Sequence, residues 1–194
     1  MQGSGSHIGA VCALAATFLL GTGCSVNVNK NDNGEDKRVD IDTPFGGIHV
    51  NKGADVRDTG LSVYPGARLK PPDNTHDEKS ANVDISTSVF GLKVVALEYQ
   101  SNDPPDKVAA YYRNELKRYG NVLECRTRGH DYQVTRPDKG DSEELKCEGG
   151  NQGRTIELKS GTKSNQRIVA IDPKDHGSDF ALVYVRTRGK EGTI

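Results

Sequence analysis

The chain has 194 residues, a formal net charge of −1, four Cys and no Trp. Residues 1–24 contain no Asp, Glu, Lys or Arg, so every charged side chain lies in the rest of the chain. This asymmetry excludes a polytopic membrane protein, a nucleic-acid binder that depends on bulk positive charge, and a small Cys-rich scaffold. It indicates one ordinary domain behind an export signal.

An apolar run from Ile8 to Leu20 marks the leader. Its thirteen residues are fewer than the roughly 20 that a membrane-spanning helix needs, and they match the apolar core of a signal peptide. The run ends in Gly21-Thr22-Gly23-Cys24, and small residues before a Cys resemble the lipobox of bacterial lipoproteins. In that family a signal peptidase cuts before the Cys, whose sulfur carries a diacylglycerol. The resemblance implies that residues 1–23 are a signal peptide and that Cys24 is the lipidation site.

Two features of the leader depart from the lipoprotein pattern. Gly21 stands where the family usually has Leu, and residues 1–7 contain no Lys or Arg. Secretion after a conventional cleavage and retention as an uncleaved anchor therefore stay open as alternatives. The lipid itself is a sufficient anchor, because each buried CH₂ contributes about 0.8 kcal/mol and two or three acyl chains hold a domain durably on a membrane.

Residues 24–38 are predicted to be the lipidated Cys and a flexible tether. The stretch is rich in Asn and charge, and so poor in apolar side chains that it cannot bury enough surface to offset its ordering entropy. A calcium loop starting at Asn29 is the alternative for these oxygen-rich residues. The twelfth residue of such a loop is Asp40 rather than Glu, and no helix precedes it, which disfavours an EF-hand.

The first strand signals lie at residues 39–42 and 48–50, where apolar and polar residues alternate on either side of a Pro-Phe-Gly-Gly turn. This pattern predicts a short hairpin with Asp40, Asp42 and His49 on its polar face. Residues 83–88 and 92–99 predict two more strands. The second of these is apolar on both faces, so we expect it to be central in its sheet.

The clearest predicted element is a helix after Ser101. Asp103 is a good N-cap, Pro104 suits the first helical position, and Gly120 suits the position after the helix end. Apolar residues recur at helical spacing between these signals, at Val108, Tyr112, Leu116 and Tyr119. We expect the tyrosines at 111, 112 and 119 to pack against a sheet rather than to bind a ligand.

Four strand signals follow the helix, at residues 122–125, 154–159, 166–171 and 180–186. Their hairpin spacing indicates an antiparallel meander, and no alternation of strands and helices suggests a parallel sheet. The predicted fold class is therefore α+β, with an antiparallel sheet and one main helix on one face. Residues 39–194 are predicted to form this single domain.

Cys125 and Cys147 are the thiols that remain after Cys24 in the exported body. An oxidising compartment favours a disulfide between them. The chain-entropy model gives such a bridge, with its 21 intervening residues, about 3 kcal/mol of stability. Zinc binding is disfavoured because no C-x₂-C spacing exists, and free thiols or a Cys nucleophile served by His130 are the remaining alternatives.

No sequence motif predicts a catalytic residue, a metal ligand or a cofactor site. The chain lacks a nucleophile elbow, a metalloprotease motif, a P-loop and a dinucleotide fingerprint. The alternative is an envelope hydrolase or ligand sensor that uses loops near Cys125–Cys147 and His176. Side chains that could serve it are His130, Asp131 and His176, or the carboxylates Asp138, Asp141, Glu143 and Glu144.

A second resemblance rests on Tyr64-Pro65-Gly66-Ala67 and on a helix of the form V-x-x-Y-Y-x-x-x-L-x-x-x-G that starts at Val108. These motifs are similar to those of uncharacterised bacterial envelope lipoproteins. The match covers about residues 61–125. It implies an exported α+β domain and supplies no catalytic residues.

These observations together predict an exported lipoprotein, anchored to a membrane of the cell envelope on its periplasmic or surface side. We expect a non-enzymatic binding or structural role there, without cofactors. Its expected partners are the membrane, through the lipid, and an envelope protein or ligand that the sequence does not identify. The balance of basic and acidic residues makes nucleic acid an unexpected partner.

Overall fold

The computed structural model describes residues 25–29, 38–51, 53–71, 79–128, 142–147 and 151–189. In this part of the chain there are ten strands and one α-helix, α1, at Pro105–Leu116. Short 3₁₀ turns lie at Val56–Thr59 and Lys117–Tyr119. The strands are β1 Ser25–Asn29, β2 Arg38–Thr43, β3 Gly46–Asn51, β4 Arg68–Leu69, β5 Ser80–Thr87, β6 Phe90–Ser101, β7 Val122–Thr127, β8 Thr155–Thr162, β9 Asn165–Lys174 and β10 Gly177–Gly189.

The described strands form one antiparallel sheet in the order β1-β2-β3-β5-β6-β10-β9-β8-β7, with β4 also paired to β6. The predicted α+β fold with one helix on an antiparallel sheet is confirmed. The chain leaves the sheet after β6, forms α1, returns at the far edge as β7 and works inward. The last strand, β10, fills the place between β9 and β6.

One face of the sheet is buried under α1. Val108, Tyr112 and Leu116 of the helix are fully buried against alternate residues of β8, β9 and β10. Residues that pair across strands share a face, so Leu158, Val169 and Leu182 form one row beneath the helix. Ile156, Ile171 and Phe180 form the next row, and both rows belong to the main core.

The opposite face carries two apolar rows that cross the sheet. A second core cluster lies there, built on Ile168, Ala181, Val183 and Val185. The pairing register continues this face outward through β6, β5, β3, β2 and β1. One row is Val185, Val94, Val83, Val50, Val39 and Val28, and the next is Thr187, Leu92, Ile85, Ile48, Ile41 and Val26.

Two boundaries differ from the sequence-based expectations. Ser25–Asn29, which we expected to be part of the tether 24–38, form β1 and pair with β2. Pairing satisfies the backbone and places Val26 and Val28 in the apolar rows, a long-range gain that local composition does not show. The leader 1–23, Cys24 and residues 30–37 lie outside the described residues, as does most of the proposed calcium loop.

The helix begins one residue later than predicted. Pro104 is the N-cap and Pro105 the first helical residue. Asp103, the predicted N-cap, instead accepts a hydrogen bond from the Tyr64 hydroxyl at 2.7 Å and one from Lys107 Nζ at 2.9 Å. Proline disfavours a helical conformation for the residue before it, so the second proline moves the start of α1 to Pro105.

The motif residues Tyr64 to Ala67 form a turn that packs on α1. The Ala67 amide donates to the Tyr64 carbonyl at 3.0 Å, and Gly66 has a φ of 77°, which suits the third position of a type II turn after proline. The Tyr64 ring makes edge contacts with Tyr111 and Phe180, with ring centroids 5.2 Å and 6.4 Å apart. Burial raises the pKa of Tyr64 to about 12, and its hydrogen bond to Asp103 acts in the same direction.

The Tyr112 hydroxyl joins this turn to the helix. It accepts a hydrogen bond from the Tyr64 amide at 3.0 Å and donates one to the Ser62 carbonyl at 3.2 Å. We predict that Tyr112→Phe lowers the free energy of unfolding by about 1–3 kcal/mol, because it leaves a buried amide without its acceptor. Urea denaturation of the variant and of Tyr111→Phe checks this. The control keeps a half-buried ring, and an equal loss in both variants would contradict the assignment.

Candidate functional site

The described residues place a row of charges on the helix-side face of the outer strands. Asp40, His49, Asp84, Lys93 and Arg186 are successive cross-strand partners on β2, β3, β5, β6 and β10. This charged row lies on the face opposite to the apolar rows, as the predicted hairpin pattern requires. A shallow cavity of about 330 Å³ opens over it.

In this row His49 lies between Asp40 and Asp84. Its Nδ1 lies 3.0 Å from Asp40 Oδ1 and its Nε2 lies 3.8 Å from Asp42 Oδ1. The Asp40 hydrogen bond raises the pKa of His49 above its ordinary value, with smaller support from the Asp42 charge. Gly47 lies beside the imidazole, and a Cβ there would come within 2.9 Å of Nε2. The arrangement can hold a proton on the imidazole, and no nucleophilic side chain is hydrogen-bonded to His49 among the described residues.

A second cavity, of about 350 Å³, lies where β7, β8 and β9 end. Its lining includes Arg128, Arg154 and Lys174, and also Asp172, to which Thr155 donates a hydrogen bond at 2.5 Å. Lys174 Nζ also lies 3.4 Å from Asp179 Oδ2, so the three cations exceed the two carboxylates by one charge, which favours an anion. Its residues come from three separate segments, so only the sheet order brings them together.

The structure joins the predicted cysteine pair, Cys125 and Cys147, in a disulfide with Cα atoms 5.5 Å apart. Cys125 lies on the face opposite to the helix, across from Glu157. Glu157 Oε1 and Lys159 Nζ are 2.6 Å apart and both residues are buried. The alternation of residues in β8 indicates that Glu157 and Lys159 share a polar face of the strand. It does not indicate that this face is buried, so the sequence does not predict the ion pair.

Residues 142–147 run from the turn between β8 and β9 to the disulfide. Glu143 accepts hydrogen bonds from the Ser164 amide at 3.1 Å and the Ser164 hydroxyl at 2.8 Å. These bonds lower the pKa of the Glu143 carboxyl. The Lys163 amide donates a hydrogen bond to the Glu143 carbonyl at 3.0 Å, so the segment is held at this turn and, through the disulfide, at Cys125. Glu143 therefore orders a turn, and Glu144 is exposed.

The side chains of the catalytic alternative are not brought together in the described residues. His176 is exposed in the turn between β9 and β10. His130, Asp131, Asp138 and Asp141 lie outside the described residues, as does the lipidation site Cys24. No group of three His, Cys, Asp or Glu side chains with metal-binding geometry occurs in the part of the chain that the structure describes.

Comparison of the chain with protein-family models, with curated proteins and with solved structures finds no match. Within the described ranges, no helix has the length and apolarity that crossing a bilayer requires.

The Asp40 hydrogen bond predicts a pH effect at His49. We expect an NMR titration to place the pKa of the His49 imidazole above 6.5, and Asp40→Asn to bring it down further than Asp42→Asn does, because the hydrogen bond is the largest cause. The raised pKa means that this pair stabilises the fold below pH 6.5 and that the contribution is lost as the pH rises through the folded-state pKa. An unshifted His49, or equal effects of the two variants, would contradict this account.

The disulfide predicts a stability effect. We expect Cys125→Ala/Cys147→Ala to lower the free energy of unfolding by about 3 kcal/mol, because the unfolded chain gains loop freedom. Urea titration with and without reductant measures it, and reductant should leave the double variant unchanged. Alkylation of Cys125 and Cys147 in the denatured, unreduced wild type would refute the bridge, and peptide mass spectrometry distinguishes these thiols from Cys12 and Cys24.

Proposed function

We propose that the protein is an exported lipoprotein, anchored in the cell envelope through a lipid on Cys24, whose domain has a non-enzymatic binding or structural role. The observation that carries this proposal is the apolar run 8–20 followed by Gly21-Thr22-Gly23-Cys24. The run has the length of a signal-peptide core, and the small residues before the Cys are those that a lipoprotein signal peptidase accepts.

The start of the folded domain supports this anchor. Ser25, the residue after Cys24, is the first residue of β1, and β1 is an edge strand of the described sheet. Residues 25–28 are exposed, so a bulky lipid on the preceding residue has space at that edge and displaces nothing from either core.

The disulfide supports export. Bridges of this kind persist in oxidising compartments such as the periplasm and the cell surface, and are rare where thiols are kept reduced. Cys125 is 1 % exposed, and burial in a folded domain protects the bridge from exchange. The signal peptide and the bridge therefore agree on the compartment from independent parts of the chain.

The described polar clusters support binding or structure rather than catalysis. His49 is held between two carboxylates on an open surface, Glu143 orders a turn, and the cationic groove at Arg128, Arg154 and Lys174 has the charge to receive an anionic ligand. Such shallow, open surfaces suit recognition, and among the described residues His49 is hydrogen-bonded to a carboxylate rather than to a nucleophilic side chain.

Metabolic labelling with palmitate tests the anchor. We expect label on the wild-type chain and none on Cys24→Ser, because the thioether forms at that sulfur. Cys12→Ser is the matched control, since it removes the other leader cysteine and should stay labelled. An unlabelled wild type would contradict the proposal, and the mass of the mature N-terminal peptide then separates conventional cleavage from an uncleaved leader.

A further inference from the structure

One end of the sheet carries three of the six exposed large apolar side chains of the described residues. Phe45 and Val89 lie at the tips of the hairpins β2–β3 and β5–β6 and are 79 % and 59 % exposed. Gly46 pairs with Thr87, so the two tips are neighbours. Val26, 64 % exposed, lies near the start of β1 at the same end, because Ser25 is opposite Asp42. We call Val26, Phe45 and Val89 the tip surface.

The two tips are built alike. Thr43 Oγ1 accepts a hydrogen bond from the Phe45 amide at 3.3 Å and donates to the Gly46 carbonyl at 2.8 Å. Thr87 Oγ1 accepts from the Val89 amide at 3.4 Å and donates to the Phe90 carbonyl at 2.9 Å. Each threonine thus satisfies backbone groups of its turn, while an exposed apolar side chain follows two residues later. Because these backbone groups are already hydrogen-bonded, moving the turn from water into an apolar environment costs less free energy.

The register places Ser25, the residue bonded to Cys24, at this end of the sheet. Consecutive Cα atoms are about 3.8 Å apart, so a residue directly before Ser25 cannot be far from the level of Asp42 and Thr43. Pro44 and Phe45 follow Thr43 and therefore project beyond the level of Ser25. No spacer separates Cys24 from β1, so a lipid on Cys24 holds this end of the sheet against its bilayer.

We infer that the tip surface is a second membrane contact, in which Phe45 and Val89 enter the boundary between headgroups and acyl chains of a phospholipid bilayer beside the lipid on Cys24. This inference rests on the anchor proposed above. A protein partner or a second copy would leave the tips outside the bilayer. The bilayer is the favoured occupant because the lipid is attached to the residue directly before β1. The first residues of β1 lie at the same end of the sheet as the hairpin tips.

The absence of Trp from the chain permits a direct test. Full-length Phe45→Trp and Leu69→Trp, isolated from bacterial membranes, are reconstituted into vesicles of phosphatidylethanolamine and phosphatidylglycerol whose acyl chains carry bromine near the headgroups. Leu69 is the matched control, because it is 51 % exposed and lies opposite Tyr99, about 30 Å along β6 from Phe90. Circular dichroism confirms that each variant is folded.

We expect bromine to quench the indole emission of Phe45→Trp at least about twofold more than that of Leu69→Trp, because only position 45 reaches the depth of interfacial apolar side chains. Equal quenching in the two variants, in protein shown by mass spectrometry to carry the lipid, overturns the membrane contact and leaves the anchor standing. Absence of lipid on Cys24 in the same preparations overturns the anchor and this inference with it.

Discussion

The main core depends on the two hydrogen bonds that the Tyr112 hydroxyl makes with the Tyr64 amide and the Ser62 carbonyl. This hydroxyl lies on a fully buried helix residue and holds two backbone groups of the segment that leads into the Tyr64 turn. That segment in turn presents Tyr64 to Tyr111 and Phe180, and to Asp103 at the start of α1. A closed set of contacts therefore joins the turn, the helix start, the helix body and the central strand β10. This packing gives Tyr64 and the tyrosines of α1 a structural role.

Local signals predicted the elements well. Period-two alternation located the β2–β3 hairpin and the strands after the helix, and helical spacing from Val108 to Leu116 located α1, since burial on one face imposes those periods. An apolar pattern on both faces of β6 correctly indicated a central strand. The pairing of Cys125 with Cys147 could also be predicted, because these are the two cysteines that follow Cys24 in the sequence.

What depends on distant partners could not be predicted. The polar composition of Ser25–Asn29 hides a strand, because its stability comes from β2. The helix starts at Pro105 because a proline disfavours a helical conformation for the residue before it, and the predicted cap Asp103 bonds instead to Tyr64, 39 residues away in the sequence. The charged row around His49 depends on how the strands pair, and the Glu157–Lys159 pair depends on which residues bury it. Neither is visible in the sequence of one strand. The anchor at Cys24 stays a proposal, and the observation that carries it is the sequence of the leader.

The position of β10 has a consequence for the order of folding. Strands β1 to β6 and strands β7 to β9 are separate meanders until the last strand of the chain pairs with both. The central rows of the core, with Phe180 and Leu182, are incomplete until then. A chain that becomes available from its N-terminus therefore holds two incomplete parts of the sheet until β10, the last described strand, can pair with both. Such late closure has a high contact order and favours slow folding.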